Sequence, residues 1–269
     1  MVQNKSLIFA RVPVGFPVPG QDLLISTSEI DLTNPPPEGG VILKTNYISY
    51  DPYLRGKMRA PSKSYSAPFE LQQPIYNNAI STVVASANAR FKKGDVVIGN
   101  SNFAEYAVVA KDRADKEHSA GGLSILNNPL RLDPSIFLGA LGMSGLTAYS
   151  SLYAIGKPVK GQTIFISAAS GSVGQIVGQL AKREGLVVIG SVGSDEKLKF
   201  VKETLGFSAA FNYKTESPAQ GLGRVLKELG KDGLDIYYDN VGGETLDTAI
   251  EYMNNFGRIG TNSPLSLKV

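Results

Sequence analysis

The chain of 269 residues contains no cysteine and only one histidine. The first absence excludes disulfides, thiolate metal sites, iron-sulfur clusters and cysteine nucleophiles. The second removes the common zinc arrangements, which need several Cys, His or carboxylate ligands to converge. His118 lies in the polar run "KDRADKEHSAGG", where a surface position is the favoured reading and no partner for acid–base work stands nearby. There is also no excess of one charge. The 27 basic and 24 acidic residues are interspersed, so no polybasic surface for nucleic acid or membrane is marked. Long hydrophobic runs are missing too. The N-terminal "MVQNKSLIFARVPVGFPVPG" has only the short apolar run from Leu7 to Ala10 before its prolines, which predicts neither a signal peptide nor a spanning helix. A soluble, cytoplasmic protein is the default expectation.

What is present is a 42% hydrophobic chain with two textures. The first half holds short β-branched or aromatic runs, "VILKTNYISY", "AISTVVASA", "DVVIGN" and "AEYAVVA", bounded by Pro, Gly or Asn. This predicts a β-rich domain over residues 1–135. Within it "NPPPEGG" (34–40) precludes a regular central strand or helix. From about residue 136 the run "SIFLGALGMSGLTAYSSLYAIG" has helical spacing with a stop at Gly156. Strands and helices then alternate. Strands are predicted at 163–168, 186–192, 209–213, 234–241 and 257–261, and helices near 173–184, 195–205, 217–229 and 244–255. Alternation of this kind implies a parallel sheet covered on both faces, an α/β doubly wound domain over residues 136–269.

In such a sheet the first strand-to-helix turn faces the ligand, and the helix N-terminus offers unpaired N–H groups to a pyrophosphate. Here that turn reads "AASGSVG", with Ala169 at the first glycine position of the usual G-x-G-x-x-G, then Gly171 and Gly174. Ala169 can replace a turn glycine if its backbone angles are allowed, Gly171 permits close approach, and Gly174 lets the helix pack on the strand. A close-packed bend without a ligand is the competing reading. It loses ground because an apolar strand precedes the turn, an amphipathic helix follows, and a second strand comes next. At the end of that second strand, "GSVGSDEK" supplies Gly193, Ser194 and Lys197, with Asp195 as the acidic competitor. An acid there bonds the ribose 2′-OH of NAD, whereas a cation and small polar groups suit the 2′-phosphate of NADP. Ser194 as N-cap would put Asp195 and Glu196 in the first turn, where carboxylates complement the helix dipole, and this favours NADPH with Lys197 beside the phosphate.

Taken together, "LGMSGLTAY" (141–149), the "AASGSVG" turn, "GSDEK" (193–197), "FNYK" (211–214), "DNVGGE" (239–244) and "SYDPYLRGKM" (49–58) give the chain a specific likeness. It resembles the zinc-independent medium-chain dehydrogenase/reductases, and among them the alkenal double-bond reductase and prostaglandin reductase group. The resemblance implies a GroES-like catalytic domain beside a Rossmann domain, NADPH as hydride donor, and reduction of the carbon–carbon double bond of an enal or enone, the small-molecule substrate. It also implies that Gly171, Ser172, Val173 and Gly174 meet the pyrophosphate, that Lys197 and Tyr213 hold the 2′-phosphate region, and that Asn240 and Thr147 approach the cofactor. Tyr53 is then the candidate catalytic residue, its phenol donating to the substrate carbonyl; a half-buried structural tyrosine is the competing reading. Arg55 is expected to be a structural or ion-pairing residue of the same motif. Family members are often dimers, so a homodimer is the expected assembly.

The likeness extends to about Gly260, after which the family continues into a loop that lines the nicotinamide. Here the sequence reads "GRIGTNSPLSLKV". The expectation is therefore a doubly wound domain with its last part missing, a shortened product ending in an unrelated tail. Two alternatives stay open: a non-catalytic NADPH-binding protein, and a quinone reductase, which shares the architecture but not the "DPYLR" and "FNYK" combination.

Overall fold

A computed structural model describes residues 1–64, 66–116 and 121–262. His118 and the tail from residue 263 onward lie outside the described residues. The chain divides into two compact units, Met1–Leu138 and Gly139–Val269.

The first unit is built on two sheets. One has the order β7-β3-β5-β6-β8, from β3 (Val41–Ile48), β5 (Tyr76–Ser86), β6 (Val96–Asn102), β7 (Tyr106–Val109) and β8 (Ser124–Ile125), all antiparallel. Alternate residues point one way along a strand. Val41 and Leu43 therefore meet Val83, Val97 and Val109 in one core, closed by Phe91, Leu123 and Ala114 of the short helix α2 (Lys111–Ala114).

The other sheet joins β1 (Val2–Phe9), β2 (Leu23–Ile30) and the two-residue β4 (Gln73–Pro74). The N-terminal segment has only a short apolar run, yet β1 pairs along its whole length with β2, from Val2 opposite Ile30 to Phe9 opposite Leu23. Polar side chains fasten it. The Asn4 amide donates to the Tyr106 carbonyl and accepts from the Tyr106 N–H at 3.0 and 2.9 Å, and the Lys5 N–H donates to the Glu105 carboxylate at 2.8 Å. Such anchors leave no hydrophobic periodicity in the sequence.

Below these strands Phe9, Leu23, Leu54, Met58, Phe69 and Ile75 form a second core, against which Tyr53 packs. Leu54 begins the one-turn helix α1 (Leu54–Lys57). On its far end the Lys57 ammonium lies over the rings of Tyr76 and Phe69, 3.9 and 4.5 Å from their centres. Burial, helped by the neighbouring Arg59, pushes that ammonium down to about 8. The Pro-rich 34–40 segment is irregular, turned by a Gly40 N–H bond to the Pro37 carbonyl at 2.7 Å.

The second unit carries a parallel sheet in the order β11-β10-β9-β12-β13. Its strands are β9 (Thr163–Ile166), β10 (Val187–Val192), β11 (Ala209–Asn212), β12 (Leu234–Asp239) and β13 (Met253–Thr261). The strand order reverses between β9 and β12. Period-2 alternation sorts the buried residues onto two faces. Ile164, Ile166, Val188, Ala210 and Tyr238 enter one core with α3 (Met143–Ser151) and α4 (Ser172–Arg183) through Ala148, Val177 and Ala181. Phe165, Ile189, Phe211 and Tyr237 enter the other with α6 (Pro218–Leu229) and α7 (Gly243–Glu251) through Leu222, Val225, Leu226 and Ala249. Each fully buried aliphatic or aromatic side chain of this kind contributes about 1.5–3 kcal/mol. Helices on both faces of a parallel sheet make the domain doubly wound.

The helix boundaries follow local chemistry. α6 starts at a capping box, with Ser217 and Gln220 bonding each other's backbone N–H, and stops at Gly230 in the left-handed conformation at φ 61°. The helix α5 (Asp195–Lys199) runs on into a wider turn through Thr204. The last element differs from the expectation. α7 ends at Glu251 rather than 255, because Met253 already pairs with Leu234, and the pairing resumes with Arg258 opposite Ile236 after an irregularity that carries Phe256 at φ 62°. The Arg258 guanidinium holds this stretch by donating to the Gly156 carbonyl and to Gln162 Oε1 at 3.0 and 2.6 Å.

Candidate cofactor site

The strands of the second unit run parallel, so β9, β10, β11 and β12 all end on one edge of the sheet. That edge, at the point where strand order reverses, is where doubly wound folds hold ligands. Most of the residues singled out from the sequence follow one of these strand ends.

After β9 the chain turns through Ser167–Gly171 into α4. The residue in the left-handed conformation is Ala168, at φ 47°, and Ala169 is not strained. Ala169 is fully buried and donates its N–H to the Ser191 carbonyl of β10 at 2.9 Å. Gly190 on that strand makes room for it, since a Cβ there would stand 2.7 Å from the Ala169 methyl. Alanine therefore fills a space in this turn that a glycine would leave empty. Left-handed backbone costs an L-residue about 1–2 kcal/mol. Ala168→Gly is accordingly expected to stabilise the protein by about 0.5–1 kcal/mol after the extra unfolded-state freedom of glycine is subtracted, measured as an upward shift of the denaturant midpoint.

The helix start has the form that an anion needs. Gly171 is the N-cap, extended at φ −70° and ψ 166°, and no side chain caps the helix. Its carbonyl accepts the first helical bond, from the Gln175 N–H at 3.0 Å, which leaves the N–H groups of Ser172, Val173 and Gly174 outside the intrahelical ladder. Gly174 is where the helix touches the turn. A Cβ there would lie 2.5 Å from the Ala168 carbonyl oxygen and 2.9 Å from Ala169 Cα. Further along, Gly178 lets the Phe207 ring lie against the helix. These glycines bring α4 close to the strand ends, and the residues present fit a dinucleotide pyrophosphate.

At the end of β10, Ser194 caps α5, its hydroxyl accepting from the Lys197 N–H at 3.3 Å. Asp195 and Glu196 occupy the first turn. Asp195 is engaged, since its carboxylate accepts from the Asn212 amide of β11 at 2.8 Å. Lys197 is exposed and has no ion-pair partner among the described residues. Tyr213, which follows β11, donates its N–H to the Val192 carbonyl at 3.0 Å and lays its phenol over Gly193. A Cβ on Gly193 would be 2.5 Å from the Tyr213 hydroxyl. Gly193, Ser194 and Tyr213 are thus brought together beside the first turn of α5, which carries Lys197.

At the end of β12, Asn240 donates its backbone N–H to Ser167 Oγ and its side-chain amide to the Ser167 carbonyl, both at 2.8 Å. Thr147, half-buried in α3, is linked to β12 through its backbone. Its carbonyl accepts from the Ser151 hydroxyl at 2.6 Å and from the Tyr238 phenol of β12 at 3.5 Å. Ser167, which holds Asn240, and Tyr237 and Asp239, which bond in turn to Ser167 and to the following turn, are not among the residues the sequence singles out. A hydroxyl directly after one central strand and an acid at the end of the next were the available signal.

Tyr53 belongs to the first unit. It precedes α1 and is half-buried, and its phenol donates to Asn77 Oδ1 at 2.7 Å. Asn77, itself 5% exposed, is fixed by donating to the Ser49 carbonyl at 3.0 Å and to Asp51 Oδ2 at 2.7 Å. Arg55 donates Nε and Nη2 to the Gly15 carbonyl at 2.9 and 2.7 Å, which makes it a staple for the 13–15 loop rather than an ion-pairing group. Among the described residues no three His, Asp or Glu side chains are grouped as metal ligands, and no helix is long and apolar enough to cross a membrane.

A parallel doubly wound sheet with an uncapped glycine turn, preceded by a β-rich unit, defines a two-domain dinucleotide-binding oxidoreductase architecture. Residues 5–116 match the family described as the N-terminal domain of oxidoreductase, and residues 172–262 match the one described as zinc-binding dehydrogenase. The chain belongs to the medium-chain dehydrogenase/reductase family. It is 51% identical over 267 residues to NADP-dependent oxidoreductase RED1 of Cochliobolus heterostrophus, covering 99% of this chain and 73% of that protein. It is 39% identical to the NADP(+)-dependent 2-alkenal reductase of Nicotiana tabacum, covering 98% of this chain and 74% of that one. Among solved structures, CurA of Vibrio vulnificus in complex with NADPH superposes with a TM-score of 0.80 at 33% identity, over 95% of this chain and 70% of CurA.

Proposed function

We propose that the protein is an NADPH-dependent reductase of the carbon–carbon double bond of α,β-unsaturated aldehydes or ketones. The observation that carries the cofactor choice is the end of β10. Of the two acids there, Asp195 is tied to Asn212 and Glu196 lies in the first turn of α5, while Gly193, the Ser194 cap and the Tyr213 phenol gather beside the exposed Lys197 cation. That combination suits a 2′-phosphate, and the acid nearest the end of the strand already accepts a hydrogen bond from Asn212. The N–H groups of Ser172, Val173 and Gly174 would take the pyrophosphate, with Thr147 contributing from the middle of α3 and Asn240 from the end of β12. The substrate class draws support from the Nicotiana tabacum relative, whose name gives a 2-alkenal as its substrate.

When bound, NADPH supplies the hydride that reaches the β-carbon of the enal. The chain's task is to stabilise the negative charge that then develops on the carbonyl oxygen, and the Tyr53 phenol is the group proposed to donate to it. Asn77 and Asp51 orient that phenol, and the substrate oxygen must take over the proton now held by Asn77 Oδ1. The α-carbon receives its proton from solvent, which completes the addition of two hydrogens.

Tyr53→Phe is expected to lower kcat for an alkenal by about 100- to 1,000-fold, as the loss of one charge-stabilising donor does elsewhere, with the KM for NADPH unchanged. Steady-state rates of NADPH oxidation check this. An unaltered kcat would return Tyr53 to a purely structural role. NADPH binding without turnover of any alkenal or quinone would favour a non-catalytic binding protein.

A further inference from the structure

The centre of the candidate site holds a polar group more deeply buried than its surroundings. Asp239, at the end of β12, is fully buried, and so is Ser167, just past the end of β9; Tyr237 is equally enclosed. These two strands flank the point where strand order reverses. Asp239 Oδ1 accepts three hydrogen bonds: from the Tyr237 phenol at 2.8 Å, from the Val241 N–H at 3.0 Å and from the Gly242 N–H at 2.7 Å. Its other oxygen is buried without a hydrogen-bond partner. The carboxylate therefore depends on the bonds to a single oxygen, and losing one of them exposes a buried charge.

The Tyr237 phenol also stands 3.2 Å from Ser167 Oγ. It has one proton, and the carboxylate is the stronger acceptor, so the Ser167 hydroxyl has two acceptors within reach of its own proton, the phenol oxygen at 3.2 Å and the Tyr238 carbonyl at 3.4 Å. Burial holds the phenol well above its ordinary ionisation range, which makes it a permanent donor. The serine oxygen in turn accepts the Asn240 N–H at 2.8 Å, and the Asn240 side chain returns to the Ser167 carbonyl. The chain Ser167 to Tyr237 to Asp239 to the 241–242 turn is closed on both sides of Asn240. Each bond polarises the next, so the group behaves as a unit.

We propose that Ser167, Tyr237 and Asp239 form a lock that fixes the backbone of residues 240–242 at the crevice between β9 and β12, making Tyr237 a positioning residue for the dinucleotide. The proposal rests on the cofactor reading above and adds to it a residue that touches no ligand. Its Tyr237 hydroxyl does no hydrophobic work, because the ring already packs on Phe165 at 5.2 Å between centres and would do so as phenylalanine.

The test compares the full-length protein with Tyr237→Phe, Ser167→Ala and a control, Val225→Ala, which removes core volume from α6 without touching the strand ends. Two quantities are read: amide hydrogen exchange at Asn240 and Gly242 without cofactor, and the Kd for NADPH by fluorescence titration. In Tyr237→Phe and Ser167→Ala exchange at these amides is expected to rise about tenfold or more, the equivalent of one lost hydrogen bond, and the NADPH Kd about fivefold or more. In Val225→Ala the melting temperature falls while both quantities stay at the wild-type value. Unchanged exchange in Tyr237→Phe and Ser167→Ala overturns the lock. Faster exchange with an unchanged NADPH Kd overturns the positioning role. A wild-type protein that binds no NADPH overturns the cofactor reading instead and with it the ligand served, and exchange alone then decides whether the lock exists.

Discussion

Lys197→Ala is expected to raise the Kd for NADPH by about 10- to 100-fold, the loss of a charge-assisted contact worth about 1.5–3 kcal/mol, while the Kd for NADH changes by less than about twofold. The reason is the isolation of the lysine. It stands in the first turn of a helix whose two acids are placed toward the dipole, and Asp195 is already bonded to Asn212. No carboxylate among the described residues pairs with Lys197, so its ammonium gives up none of them when a phosphate arrives. Fluorescence titration with each nucleotide measures the two constants. Salt provides an internal check, since an exposed cation–phosphate contact weakens as ionic strength rises, and the NADPH constant of the wild type should drift toward that of the variant. Equal weakening of both nucleotides would remove the 2′-phosphate from Lys197.

Gly174→Ala should produce the largest loss of stability among single substitutions in the turn. The added methyl would stand 2.5 Å from the Ala168 carbonyl oxygen, 2.9 Å from Ala169 Cα and 3.1 Å from the Ala169 carbonyl oxygen. All three are backbone atoms of a turn already bonded to β10, so the helix must move. Overpacking of this kind costs about 1–3 kcal/mol, or about 2–10 °C in melting temperature for a chain of this size. Moving α4 also displaces the free N–H groups of its first turn, and the NADPH Kd should rise more than about tenfold. Gly171→Ala separates the two effects. Its methyl would meet only the Ala168 oxygen, at 3.1 Å, on an exposed residue. Thermal melting should barely change, whereas NADPH binding should weaken because the backbone can no longer be approached as closely. Equal melting temperatures for Gly174→Ala and wild type would show that the turn yields.

The contrast between these glycines shows what could be read from the sequence. The strand–turn–helix order was legible because apolar runs of period 2 gave way to an amphipathic helix, and the structure starts α4 at Ser172 and ends it at Arg183. The Ser194 cap was legible from its spacing to the acids that follow. The strained residue was not. Small residues in succession, "SAAS", give no indication of which one adopts positive φ, and it is Ala168 instead of its neighbour. The strands β1 and β2 escaped notice because polar side chains anchor one and the other is largely exposed. β13 begins before the predicted helix end because its first pair, Met253 with Leu234, is set by tertiary pairing against the propensity of "EYMNN". At the site, Asn240 stood out by its motif, while its buried supports on two strands come together only through β-sheet pairing.

The Tyr213 phenol over Gly193 links two positions twenty residues apart in the chain. The place that a carboxylate side chain would occupy at the tip of β10, where it could reach a ribose hydroxyl, is already filled by a residue that follows β11. A single change at Gly193 meets the aromatic ring, and a single change to a smaller side chain at Tyr213 opens a gap over Gly193 without placing an acid in it. On the proposed cofactor reading, a change of nucleotide preference at this strand end therefore needs both positions to change together.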